Sequence, residues 1–148
     1  VRGLHHRMDF LVLAFLQGND YLPKLRGANL PGMWRRLCEL LKREEWRGQH
    51  LLNTRDGRAV EVNLRLLVTL IGDGGGGVEV DVEVDDAEKD EDGGGSTGTS
   101  AELYLRCLAW CAAMYLTGTC PDYAEKYPLK RAPTAAQLAA YYRRRREE

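Results

Sequence analysis

One short segment groups side chains in a way that suggests chemistry. Gly18-Asn19-Asp20-Tyr21-Leu22-Pro23 follows an apolar run and sets a single carboxylate between a glycine and a proline. A carboxylate at the end of a buried, rigid element can serve as an oxygen ligand for a hard divalent cation and leave the cation accessible. The same residues also suit a plain turn or helix cap, because Asn and Asp bond readily to their own backbone. On the residues alone both readings stand.

The other reactive side chains form no such group. Cys107 and Cys111 lie four apart, on one face of a helix, but Cys38, Cys120, His5, His6 and His50 offer no matching pair to complete a zinc site. The cysteines are therefore read as buried, reduced thiols of an intracellular protein, cytoplasmic or nuclear, and His5-His6 as a solvated N-terminal stub. No G-x-x-x-x-G-K-[ST], G-x-S-x-G or H-E-x-x-H occurs. The glycines at 74–77 have neither a following Lys nor a helix start to make a phosphate cradle.

The elements that must position Asp20 can be read from pattern and caps. Residues 7–17 are apolar nearly all round from Phe10 to Leu16; their Ala, Leu and Met content favours a helix stopped at Gly18. Over 31–47, Met33, Trp34, Leu37, Leu40, Leu41 and Trp46 line one face of a helix that Pro31 opens. Asp56-Gly57 marks a turn between short flanks, and Asn63 caps a helix of about two turns. Thr99-Ser100-Ala101-Glu102 and Thr134-Ala135-Ala136-Gln137 are capping-box patterns; the first opens a long helix to Thr117 that Gly118 stops. Three prolines make 120–133 irregular. The fold class expected is mainly α with long loops.

The chain of 148 residues carries 21 Lys+Arg and 22 Asp+Glu, a net charge of −1 that taken alone argues against nucleic acid as a partner. The average conceals two blocks. Residues 72–100 hold ten acids, one base and nine of the sixteen glycines, and the remaining residues sum to +8. This divides the chain into 1–71, an acidic Gly-rich insert at 72–100 expected to be disordered, and 101–148. No apolar run approaches the roughly 18–20 residues of a membrane span, so no membrane partner is expected. The chain opens at Val1 and enters an apolar segment within ten residues, and is read as a piece of a longer protein. The cations Arg35, Arg36, Lys42 and Arg43 read as a solvated helix face. Arg143–Arg146 form either a surface tail or a contact to backbone phosphates.

Three collinear blocks resemble the XRN family of 5′→3′ exoribonucleases. Asp9 to Pro23 resembles the family segment DDFVFLCFxxGNDFLPHLP. Leu51-Leu52-Asn53-Thr54 through Asp56-Gly57, with Val62 to Leu67, is similar to YLTENGxxNLERLxxFL. Tyr104 to Tyr115, with Trp110 on the family Trp, is similar to YxxGLxWVLxYY, and Gly118-x-Cys120-Pro121 with Tyr127-Pro128 and Ala132-Pro133 is similar to GxCPSWxWYYPYHYAP. The resemblance implies the helical portion of an XRN-type exonuclease core, related to PIN and flap nucleases. It implies degradation of 5′-monophosphorylated RNA by two Mg²⁺ (or Mn²⁺) ions, which activate a water and stabilise the leaving oxygen. Asp20 would be one metal ligand, with Gly18 and Asn19 shaping its turn. Asp9 would lie near the helix N-terminus and favour its dipole.

The other family carboxylates and the 5′-phosphate pocket belong to sequence not present in these residues, the missing N-terminal nuclease half of the same chain, so this chain alone is expected to be inactive. Lys24 stands where the family has His, and only Tyr123 and Tyr127 keep aromatic character in a loop that gains Lys130 and Arg131. Lys24, Tyr123, Lys130 and Arg131 are accordingly the candidate nucleic-acid contacts. A catalytically degenerate relative, acting as an RNA-binding or scaffold component, is the alternative. A flap-type DNA nuclease predicts a different continuation after the Gly-x-Asp turn.

Overall fold

The computed structural model describes residues 2–26, 28–55, 59–72, 99–120 and 124–148. Most of the acidic insert (73–98), the Asp56-Gly57 turn and Tyr123 lie outside the described residues. The elements are helices α1 (Arg2–Phe15) and α2 (Leu30–Leu41), a 3₁₀ turn at Glu44–Trp46, strands β1 (Leu52–Arg55) and β2 (Ala59–Val62), and helices α3 (Leu64–Gly72), α4 (Ser100–Thr117) and α5 (Ala135–Glu147). The protein is mainly helical. No described helix is long and apolar enough to cross a membrane.

Local chemistry accounts for most boundaries. Asn29 caps α2 by accepting the Gly32 N–H, and Pro31 occupies its first turn. Asn63 Oδ1 accepts the Leu66 N–H at 3.2 Å and opens α3. Thr99 Oγ1 accepts the Glu102 N–H, and Gly118 ends α4 in the left-handed conformation. At α5 the capping box is complete: Thr134 Oγ1 accepts the Gln137 N–H, and the Gln137 side chain accepts the Thr134 N–H.

Several expectations need correcting. α1 begins at Arg2, so His5 and His6 belong to a helix and are not a stub; the exposed His6 ring meets His50 edge-on at 6.3 Å. Asp9 is consequently mid-helix and fully buried, away from the helix terminus. Its carboxylate is compensated inward, accepting the Leu51 N–H at 2.8 Å and lying 3.1 Å from His50 Nδ1. α2 stops at Leu41, where Lys42-Arg43-Glu44-Glu45 supply no apolar residue to continue its stripe. Trp46, on the 3₁₀ turn that follows, is still buried, with the Arg65 guanidinium 4.8 Å above its ring. Only Cys107 and Cys111 of the four free cysteines are buried; Cys38 is exposed and Cys120 half-buried.

One apolar core unites residues from both sides of the acidic insert. α1 contributes Val12, Leu13 and Leu16, α2 Met33, Leu37 and Leu40, α3 Leu66 and Leu67, and α4 Tyr104, Leu108 and Cys111. β1 and β2 form an antiparallel hairpin with Leu52 opposite Val62, and β2 packs against α4. α4 runs through the middle, touching α1, β2 and α5. It thus lies across the base of the segment that joins α1 to α2.

Candidate functional site: the turn that carries Asp20

The last turn of α1 tightens before the chain reverses. Gln17 and Gly18 donate to Ala14 O and Phe15 O, an i to i−3 pattern. Gly18 then adopts φ +94°, which an L side chain rarely takes. A Cβ at this position would also stand 3.0 Å from Lys24 N and 3.4 Å from Lys24 Cα, because the far arm of the turn passes directly over it. Conformation and close approach both require glycine.

Asn19 organises the turn. Its Oδ1 accepts the N–H groups of Tyr21 (2.9 Å) and Leu22 (2.8 Å), and its own N–H donates to Leu22 O. Below it, the Leu25 N–H donates to Leu16 O at 2.9 Å and closes the segment onto α1. Leu22 and Leu25 are buried in the core, so the arms of the turn are anchored while its tip remains in solvent. Asp20 sits at that tip, exposed, and among the described residues its carboxylate makes no hydrogen bond or ion pair.

α4 grips the turn from beneath along one face. Tyr104 donates its hydroxyl to Pro23 O at 3.2 Å, and Cys107 Sγ lies 3.7 Å from Tyr21 O. Trp110 meets the half-exposed Tyr21 ring edge-on at 5.2 Å, and Cys111 Sγ receives Asn19 Nδ2 at 3.9 Å. The two thiols lie one helical turn apart and act on each other. The Cys111 thiol, with burial added, favours the proton on Cys107 and pushes its pKa up. The Cys107 thiol, helped by Asn19, draws that of Cys111 down, although burial opposes it. Burial pushes the Tyr104 hydroxyl well above its ordinary 10.0, and Tyr127 and the thiols add to the effect.

The candidate residues fall into two groups. Gly18, Asn19, Asp20 and Lys24 share this turn, with Lys24 exposed on the arm that covers Gly18. Lys130 and Arg131 lie exposed in the connection before α5. That connection is tied to the same helix face: Tyr127 meets Tyr104 edge-on at 5.6 Å and donates its hydroxyl to Arg131 O at 2.6 Å. Neither cation is brought onto the Asp20 carboxylate. Sequence reading missed the role of α4 altogether. Its signal is the run Tyr104, Cys107, Cys111, a polar stripe at helical spacing within an otherwise apolar helix.

An exposed carboxylate is a suitable hard-oxygen donor for Mg²⁺. A single donor does not hold an ion, and among the described residues no group of three or more His, Cys, Asp or Glu side chains is placed to do so. These residues alone therefore do not fit a two-metal centre. Beside the turn, Gln17 Nε2 is buried with no hydrogen-bond partner among the described residues, a donor that suits an incoming oxygen. No family model, curated protein or solved structure matches the chain.

Proposed function

We propose that this chain is the helical portion of an XRN-type 5′→3′ exoribonuclease core and that Asp20 is one ligand of its Mg²⁺ or Mn²⁺ site. The remaining carboxylates, and the pocket for the 5′ phosphate, would come from residues outside those described. The substrate is RNA with a 5′ monophosphate. The observation that carries the reading is a carboxylate exposed and unpartnered on a turn that is otherwise fixed throughout. Gly18, the Asn19 amide, two buried leucines and four α4 side chains constrain the backbone around the one residue left facing solvent. A turn whose only task was to reverse the chain would not need that constraint on its tip.

The residues divide the work. Gly18 permits the close crossing, Asn19 sets the register of the turn, and Asp20 presents oxygen. Lys24 shares the turn, and Lys130 and Arg131 lie in the connection that Tyr127 ties to α4; all three are exposed and suited to phosphate oxygens as point charge or fork. The second reading is a degenerate relative that binds RNA through these cations without cutting it. Asp20→Asn in the protein carrying the whole acidic cluster separates the two. Metal-dependent digestion of 5′-monophosphorylated RNA is expected to fall by orders of magnitude, with stability changed by less than about 0.5 kcal/mol because the carboxylate is exposed and unpaired. Undiminished digestion in the variant, or none in the parent, refutes the catalytic reading.

A further inference from the structure

The end of α5 carries a feature that the turn does not explain. Arg143, Arg144, Arg145 and Arg146 are consecutive and exposed, and the eight preceding residues of the helix contain no acid. None of the four forms an ion pair among the described residues. A cation in the last turn complements the helix dipole, but four together repel one another, a cost that a polyanion relieves. Glu147 and Glu148 stand at i+4 to Arg143 and Arg144, whereas Arg145 and Arg146 have tyrosines, not acids, at i−4.

Two of the arginines are also held in place. Arg145 donates Nη1 to the Tyr141 hydroxyl at 3.0 Å, its guanidinium 5.8 Å from the ring centroid. Arg146 lies 5.9 Å from the Tyr142 ring in the same i, i+4 relation. Two Tyr–Arg pairs thus stand side by side as a ladder. Such pairing restricts the guanidiniums yet leaves most of their N–H donors outward, the arrangement that suits bidentate capture of phosphate.

The ladder lies on α5, which packs against α4, the helix whose Cys111 touches Asn19 in the Asp20 turn.

We propose that the Tyr141–Arg145 and Tyr142–Arg146 ladder is a binding surface for the phosphate backbone of a single RNA strand. The choice of RNA rests on the function proposed above; the surface itself does not require cleavage.

The test is fluorescence anisotropy of a labelled oligouridylate with the full chain, in EDTA, across a salt series. Binding to a single strand weakens with salt by about 0.7 log units per log unit for each phosphate neutralised. R145Q/R146Q is expected to lower that slope by about 1.4, and R143Q/R144Q, which leaves the ladder intact, to lower it less. Circular dichroism confirms that helix content is kept. Equal losses from both pairs, or no change in slope, overturn the proposal. So does binding that appears only after residues 73–98 are deleted, since the acidic segment would then be the occupant. Because EDTA removes the metal, the anisotropy reads binding alone; digestion is scored separately with Mg²⁺, in the protein that carries the remaining carboxylates. RNA that is bound in EDTA yet undigested with Mg²⁺ refutes the nuclease reading and leaves the ladder standing. Digestion with an unchanged salt slope does the reverse.

Discussion

Gly18→Ala tests whether the crossing at the base of the turn is as close as the geometry indicates. Two costs are expected. An L residue at φ +94° is strained by about 1–2 kcal/mol. The new Cβ would stand 3.0 Å from Lys24 N, a backbone atom with no flexible end to yield, and forcing such contacts apart costs typically 1–3 kcal/mol. Gly118→Ala is the matched control. It has φ +69° and nothing within 4 Å of its Cβ, so it carries the backbone cost alone. The expected losses are thus about 2–5 kcal/mol for Gly18→Ala and about 1–2 for Gly118→Ala. Urea titration reads both, and unchanged m values would show that the difference lies in the folded state. Hydrogen exchange at the Leu25 amide, which closes the turn onto Leu16 O, should accelerate only in the Gly18 variant. Equal destabilisation by the two substitutions would mean that the far arm is not held against Gly18, and that the rigidity argued for Asp20 fails.

Three further outcomes follow from buried groups away from the tip. Asp9→Ala strips the partner from the Leu51 N–H and from the His50 ring nitrogen, and a loss of about 3 kcal/mol in urea titration is expected; a loss under 1 would show that the carboxylate is dispensable. Under native conditions a thiol reagent should label Cys38 at once and Cys120 more slowly, with Cys107 and Cys111 reacting only on unfolding, and fast labelling of either buried thiol contradicts the packing under the turn. Tyr104 is neutral when protonated, and its folded-state pKa is raised, so the unfolded chain loses this proton first as pH climbs past 10.0 and stability falls above that value. At pH 11 the loss from this group is about 1.4 kcal/mol; Tyr104→Phe should give up about 1 kcal/mol at neutral pH, the bond to Pro23 O, and escape that additional alkaline loss.

What could be read from the sequence was the local part of the structure. Pro31, Asn63, Thr99, Thr134 and the stop at Gly118 each act within four residues of a helix end, and a capping pattern names its own location. α1 had no such marker at its start, which is why its first turn passed for a stub. Asp9 was misplaced for a different reason. Its partners stand forty-one and forty-two residues away, and nothing near position 9 reports them. The α4 stripe was hidden in the same way: Cys107 and Cys111 look like ordinary small core residues until the turn after α1 is laid across them, and the contacts they then make span 86 and 92 positions.

This separation bears on how the candidate site should be probed. The three letters Gly-Asn-Asp specify a turn, and many turns share them. The position of Asp20 relative to anything else is set by α4, through Tyr104, Cys107, Trp110 and Cys111. α4 in turn begins only after the acidic insert and is fixed by packing against α1, β2 and α5. The placement of the carboxylate is therefore a property of the whole core. Substituting Cys111 by a larger apolar residue such as Leu should displace the Asn19 side chain and with it the tip, although position 111 is on no exposed surface. On the function proposed above, such a variant should lose nuclease activity while Asp20 itself is intact. A Cys111→Ala exchange, which removes the weak Asn19 contact but not the space, should spare it. If both variants behave alike, α4 acts as core packing alone, and the turn carries whatever precision it has by itself.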